Sequence, residues 1–147
     1  METPKNHYIW NFIFSVFFVL VLAGSLWLMQ YMRGGYLVSV SPFDTLLMAF
    51  ATFRITRLVV YDRIADWFRA LFARPGGFFE TVQNLLDCPW CIGVWAGLIV
   101  TVCYFIFPWA WSIIFFLALA GMGSLLQVIA NGIGWRAEQL KKTTEQL

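Results

Sequence analysis

Charge is what this chain has least of. Asp, Glu, Lys and Arg together make up 12% of its 147 residues, against 61% hydrophobic and 19% aromatic, too few charges to coat a soluble domain of this size. A bilayer is the solvent that accepts such a composition. The net charge is only +2, and the basic residues are interleaved with acidic ones on an apolar background. That excludes the basic patch of a nucleic-acid-binding surface. Histidine occurs once, at His7, and cysteine three times, at Cys88, Cys91 and Cys103. A tetrahedral zinc site takes four ligands, so one chain supplies only half of one at the usual spacing.

What is present is a series of long uncharged runs. Residues 8–32 carry no charge; this run is much longer than the apolar region of a secretory signal and reads as a retained span. Tyr8, Trp10, Trp27 and Tyr31 sit where interfacial aromatics belong, and Arg33-Gly34-Gly35 ends it. In Ser41-Pro42-Phe43-Asp44 an N-cap Ser, a first-turn Pro and an early acidic residue predict a helix start at Pro42. No Gly or Pro follows until Pro75-Gly76-Gly77. The first half should enter the membrane, while the alternation of Asp62, Arg63, Asp66 and Arg69 with Ile64, Trp67, Phe68 and Leu71 predicts an amphipathic helix at the interface. A bend near Tyr61 is expected between them.

Residues 78–86 form a short amphipathic piece, either lying at the surface or re-entering the bilayer, that delivers the chain to Cys88. From 92 to 128 there is no charge, and Pro108-Trp109-Ala110-Trp111 divides this stretch by a tight aromatic return. The expectation is therefore an all-α polytopic membrane protein: one integral domain over 1–147, spans at about 9–32, 42–61, 88–107 and 112–135, an interfacial helix at 62–74, and a C-terminal tail at 136–147. With four spans, Lys5, Arg63, Arg69, Arg74, Arg136, Lys141 and Lys142 fall on one side and only Arg33 on the other. The positive side stays cytoplasmic, so both termini are expected there, in the inner membrane.

This topology carries Cys88-Pro89-Trp90-Cys91 to the cytoplasmic end of the third span. Three chemical readings compete for it. A helix N-terminus favours thiolate at Cys88, as a redox pair with Cys88 attacking and Cys91 resolving would use, but Asp87 opposes a second negative charge and no thioredoxin-like βαβ context surrounds it. Two thiolates at zinc spacing could bind metal if a second chain gave the other pair, making zinc a cofactor shared between chains. The plain alternative is that both are small residues packed at a crowded helix start. Cys103 lies twelve residues on, about 18 Å along the helix, and reads as membrane packing.

Two polar constellations remain. Arg54 and Arg57 share one side of a helix near its cytoplasmic end, where they can anchor at lipid phosphate or pair with Asp62. Ser124, Gln127 and Asn131 recur at three and then four residues, and Gly93 and Gly97 have the small-xxx-small spacing that lets helices approach. Packing within the chain or between copies explains this pattern better than a pore, because three uncharged residues do not make a selectivity filter.

Phe53-Arg54-Ile55-Thr56-Arg57-Leu58 with its Tyr61-Asp62 end, followed by Cys88-Pro89-Trp90-Cys91-Ile92-Gly93-Val94-Trp95, resembles a family of small bacterial and phage membrane proteins classed only as a domain of unknown function. The resemblance covers about residues 42–134 and leaves the first span outside. It implies the helical membrane fold, singles out Arg54, Arg57, Asp62, Cys88, Cys91, Gly93 and Trp95 as defining positions, and brings no established activity. The resulting expectation is a structural or interaction protein of the bilayer, a homo-oligomer or the partner of another membrane protein, rather than an enzyme. A membrane thiol oxidoreductase and a holin-like pore are the alternatives.

Overall fold

The structure, a computed structural model, describes residues 5–33, 40–73 and 77–145. The breaks expected at Gly34-Gly35 and Pro75-Gly76, together with Arg74, lie outside the described residues, as do the side chains of Lys5, His7 and Arg33. Among the described residues six α-helices follow one another: α1 (Lys5–Arg33), α2 (Pro42–Val60), α3 (Asp66–Phe72), α4 (Gly77–Leu86), α5 (Pro89–Ile106) and α6 (Ala110–Glu145), with a 3-10 turn (Arg63–Ala65) between α2 and α3. Among the described residues there is no strand.

The start of α2 has a local cause. Ser41 Oγ accepts the Phe43 N–H at 3.3 Å, Pro42 occupies the first helical position and Asp44 the first turn. At Tyr61 the chain turns, and Arg63–Ala65 and α3 replace a straight continuation.

Among the described residues three helices are long and apolar enough to cross a membrane: Tyr8–Met32 with 25 residues, Pro89–Ile106 with 18 and Ala110–Thr144 with 35. That is one fewer than the four spans expected. The difference is α2, whose 19 residues include Asp44, Arg54 and Arg57, too many charges for its apolarity alone to argue a crossing. A second difference is α6, which runs through the expected exit at Trp135 as far as Glu145. Ala137, Glu138, Gln139, Leu140, Lys141 and Lys142 are strong helix formers, and Lys142 Nζ lies 3.0 Å from Glu138 Oε1 one turn back. Nothing at Trp135 stops the backbone.

α2 is the centre of the packing. Leu47 and Ala51 of α2, Val100 of α5, and Ala110, Ile114 and Ala118 of α6 form the core. Ala51 and Ala118 are both 0% exposed, so the backbones of α2 and α6 lie close. The closest approach is at Gly121, where a methyl group would run into the Phe50 carbonyl, standing 3.0 Å from its carbon. α2 and α6 run the same way, since Asp44 meets Trp111 and Arg54 meets Ser124 further along. α5 runs the other way: Tyr104 reaches Asp44, Gly97 faces Thr52 and Gly93 faces Thr56.

α1 joins through aromatic contacts, two edge-on and two stacked. Trp10 and Phe14 meet Phe78 of α4, and Phe17 and Phe18 meet Trp95 of α5. With ten residues, α4 extends about 15 Å, half of a bilayer core.

Candidate functional site

At its far end from Cys88, α5 closes on Asp44. The carboxylate accepts the Tyr104 hydroxyl at 2.7 Å and the Trp111 indole N–H at 3.4 Å, so an acidic residue of α2 ties α5 to α6. No spacing in the sequence links these three positions.

At the other end of α2 the charged residues form a chain of contacts. Arg54 Nη1 donates to Ser124 Oγ at 2.9 Å and lies 3.0 Å from Asp62 Oδ2. Arg69 folds back from α3, donates to the carbonyls of Val59 (3.3 Å), Val60 and Asp62, and pairs with Asp66. It thereby caps the last carbonyls of α2, which a helix end otherwise leaves unsatisfied. Arg57 behaves differently from Arg54: its guanidinium lies 5.7 Å from the Tyr61 ring centroid, and its buried Nε has no hydrogen-bond partner among the described residues. The two arginines are thus brought to one end of α2 and put to different uses.

The polar stripe on α6 is divided. Ser124 is engaged by Arg54 and returns its own proton to Ala120 O, whereas Gln127 Nε2 donates to Asn131 Oδ1 at 3.1 Å on an exposed face. Gly93 and Gly97 face threonines of α2 at ordinary contact distance, so that surface is taken by the chain's own helix.

The thiol pair sits where α4 hands over to α5. Cys88 is the N-cap of α5 with Pro89 behind it, and its Sγ accepts the Cys91 backbone N–H at 3.3 Å, the part usually played by a Ser or Asp oxygen. The Cys88 thiol is held below its ordinary range by the hydrogen bond from the Cys91 side chain and then by the Cys91 backbone N–H; burial opposes, and the Trp90 N–H adds to the lowering. Such an environment favours thiolate. Cys88, Cys91 and Cys103 are all free; Cys103 packs against the core. Trp90, between the paired thiols, is 86% exposed.

Cys91 also lines a cleft of about 500 Å³ between α1, α4 and α5. Its polar lining comes from Asn11, Ser15, Thr81, Asn84 and Cys91, its aromatic wall from Phe14, Phe18 and Trp95. Among the described residues no charged side chain lines it, and no group of three or more His, Cys, Asp or Glu could hold a metal ion. The thiols and Trp95 are legible in the sequence; Asn11, Ser15, Thr81 and Asn84 are not, because they come from separate helices with no shared spacing.

Comparison with known proteins gives a family and no chemistry. The model described as "Protein of unknown function (DUF1360)" matches residues 47–78 and 74–130, which contain both the Arg54 to Asp62 segment and the thiol pair. The UPF0713 protein YngL of Bacillus subtilis (strain 168) is 27% identical over 118 residues, covering 69% of this chain and 88% of that protein. Sporulation protein YjcA of the same organism is 30% identical over 105 residues, covering 58% of this chain and 88% of that protein. No solved structure matches. With the family model matching more than half its length and two relatives covered over most of theirs, the chain belongs to the DUF1360 family of proteins of unknown function.

Proposed function

We propose that this is a four-span membrane protein that acts by association, pairing with a second copy of itself through the C-terminal half of α6. The observation that carries this reading is the stretch 126–144. Every residue in it is exposed, yet Leu126, Ile133 and Leu140 alternate with Ala130, Ala137 and Thr144 at three- and four-residue spacing. A large-and-small stripe of that period suits the close approach of a second helix, both in lipid and beyond it. It replaces the Gly93 and Gly97 surface as the contact between copies.

The fourth crossing is α2. Its support is that two of its three charged side chains are partnered inside the bundle, Asp44 with Tyr104 and Trp111, and Arg54 with Ser124 and Asp62, while the third, Arg57, stands over the Tyr61 ring. Polar groups in a span are tolerated when they face protein and are partnered. With four crossings the excess of Arg and Lys keeps both termini and the thiol pair cytoplasmic. A zinc shared between chains would need both sulfurs of each pair to turn outward; the cleft-facing Cys91 instead supports use within one chain. The name of one relative, sporulation protein YjcA, offers sporulation as a process, and spore counts of a deletion strain would test it here.

Association is tested by single cysteines introduced along 126–144 in a variant with Cys88, Cys91 and Cys103 changed to Ser, followed by crosslinking in native membranes. Crosslinks are expected at positions 130, 133, 137 and 140 and not at 135 or 142. Equal, weak crosslinking at every position would sink the reading.

A further inference from the structure

We propose that the cleft between α1, α4 and α5 binds a lipid-soluble quinone, and that the quinone oxidises the Cys88 and Cys91 dithiol. This is independent of association through α6.

The cleft has the size of a small-molecule site, at about 500 Å³. Its walls change character along α1 and α5. Asn11 and Cys91 are at the end where α4 closes the cleft, while Phe18, Val19 and Trp95 lie further along the two helices, in the direction that both take into the apolar spans. A ligand matching this gradient has a polar head beside the thiols and an apolar tail toward the bilayer. A neutral head suits the described lining, which holds no charged side chain and offers none to answer the charge of a phospholipid headgroup. Asn11 and Asn84 offer amide N–H donors that suit the carbonyl oxygens of a ring.

A neutral head beside two thiols acquires a chemical role if it accepts electrons. Cys91 forms part of the cleft wall, and Cys88 stands behind it, outside the lining, with its sulfur 3.3 Å from the Cys91 nitrogen. Residues one helical turn apart fall within the Cα separation of about 4.4–6.8 Å that a disulfide requires. In the reaction both S–H bonds break and one S–S bond forms between Cys88 and Cys91. The two electrons pass to the quinone ring and the two protons to its oxygens, giving one quinol. Cys91, the sulfur beside the acceptor, adds to the quinone ring, and Cys88, the thiol whose environment favours the anion, attacks the Cys91 sulfur; the S–S bond forms as the bond between sulfur and ring breaks and quinol leaves.

The test uses the fully reduced protein in lipid nanodiscs, without oxygen, and decylubiquinone as the probe. One quinol formed for each pair of thiols lost is expected, with a rate that saturates in quinone. Val94→Trp, which fills the cleft from α5, should slow the reaction roughly tenfold or more while leaving oxidation of the same thiols by diamide unchanged. An azidoquinone should label peptides from α1, α4 and α5 in the unaltered protein, a result that does not depend on any variant folding. A rate linear in quinone and indifferent to Val94→Trp, labelling confined to other helices, or no quinol formed while phospholipid stays in the cleft would each overturn the proposal.

Discussion

Arg54 Nη1 donates to Ser124 Oγ across the α2 and α6 contact at 2.9 Å, and the same nitrogen lies 3.0 Å from Asp62. One guanidinium therefore holds a hydroxyl of a neighbouring helix and a carboxylate two residues past the end of its own. Ser124→Ala should destabilise the protein by about 1 kcal/mol and Arg54→Ala by about 1–3 kcal/mol, because the arginine also leaves Asp62 unpaired. Their double variant should lose less than the sum, since both remove the same bond. Reversible unfolding in mixed micelles measures all three; strict additivity would show that the contact contributes nothing.

Gly121→Ala tests how close α2 and α6 must be. The added methyl meets the Phe50 carbonyl, so one helix has to move, at a cost of about 1–3 kcal/mol. Gly123→Ala is the matched control: nothing lies within 4 Å of the new atom, and replacing a helical glycine should stabilise by roughly 0.5–1 kcal/mol. Opposite signs for two glycines two residues apart are the expected outcome in thermal unfolding.

Those glycines also mark where sequence reading stops. Gly121, Gly123, Gly132 and Gly134 look alike as letters, and only the position of α2 decides that Gly121 is needed. The long uncharged runs announced α1, α5 and α6, because a bilayer leaves no other use for them. Ser41 and Pro42 announced the start of α2. The length of α6 is not legible, because the change from apolar to charged residues at Arg136 marks departure from lipid, and a helix need not end where lipid does. Cys88 and Cys91 were legible as a pair. Their cleft was not, since a surface assembled from α1, α4 and α5 leaves no periodic trace.

Arg69 is nine residues from Val60 in sequence and is joined to it in space. Its guanidinium satisfies the carbonyls that α2 leaves open at Val59 and Val60. Arg69→Gln should therefore fray the last turn of α2 and cost about 1–3 kcal/mol. Hydrogen exchange should quicken at the amides of residues 60–62 and remain unchanged in α6. Protection unaltered at those amides would remove Arg69 from the role of cap.

Cys88 differs from an ordinary surface thiol in what its sulfur accepts. The hydrogen bond from the Cys91 side chain and the Cys91 and Trp90 backbone N–H groups lower its pKa, with burial opposing. A lowered pKa means that thiolate is already present at a pH where an unperturbed thiol is still protonated, so alkylation must rise with pH earlier than for a free cysteine. With iodoacetamide, Cys88 should react severalfold faster than a model thiol below the ordinary thiol range, and the two rates should converge above it. Cys103, packed against the core, should remain unmodified until the protein unfolds. Changing Cys91→Ala removes the leading cause while leaving the backbone N–H in place, so the Cys88 profile should move back up in pH without returning fully to that of an ordinary thiol. A profile identical before and after that change would assign the lowering to the backbone alone and deprive Cys91 of any part in activating its partner.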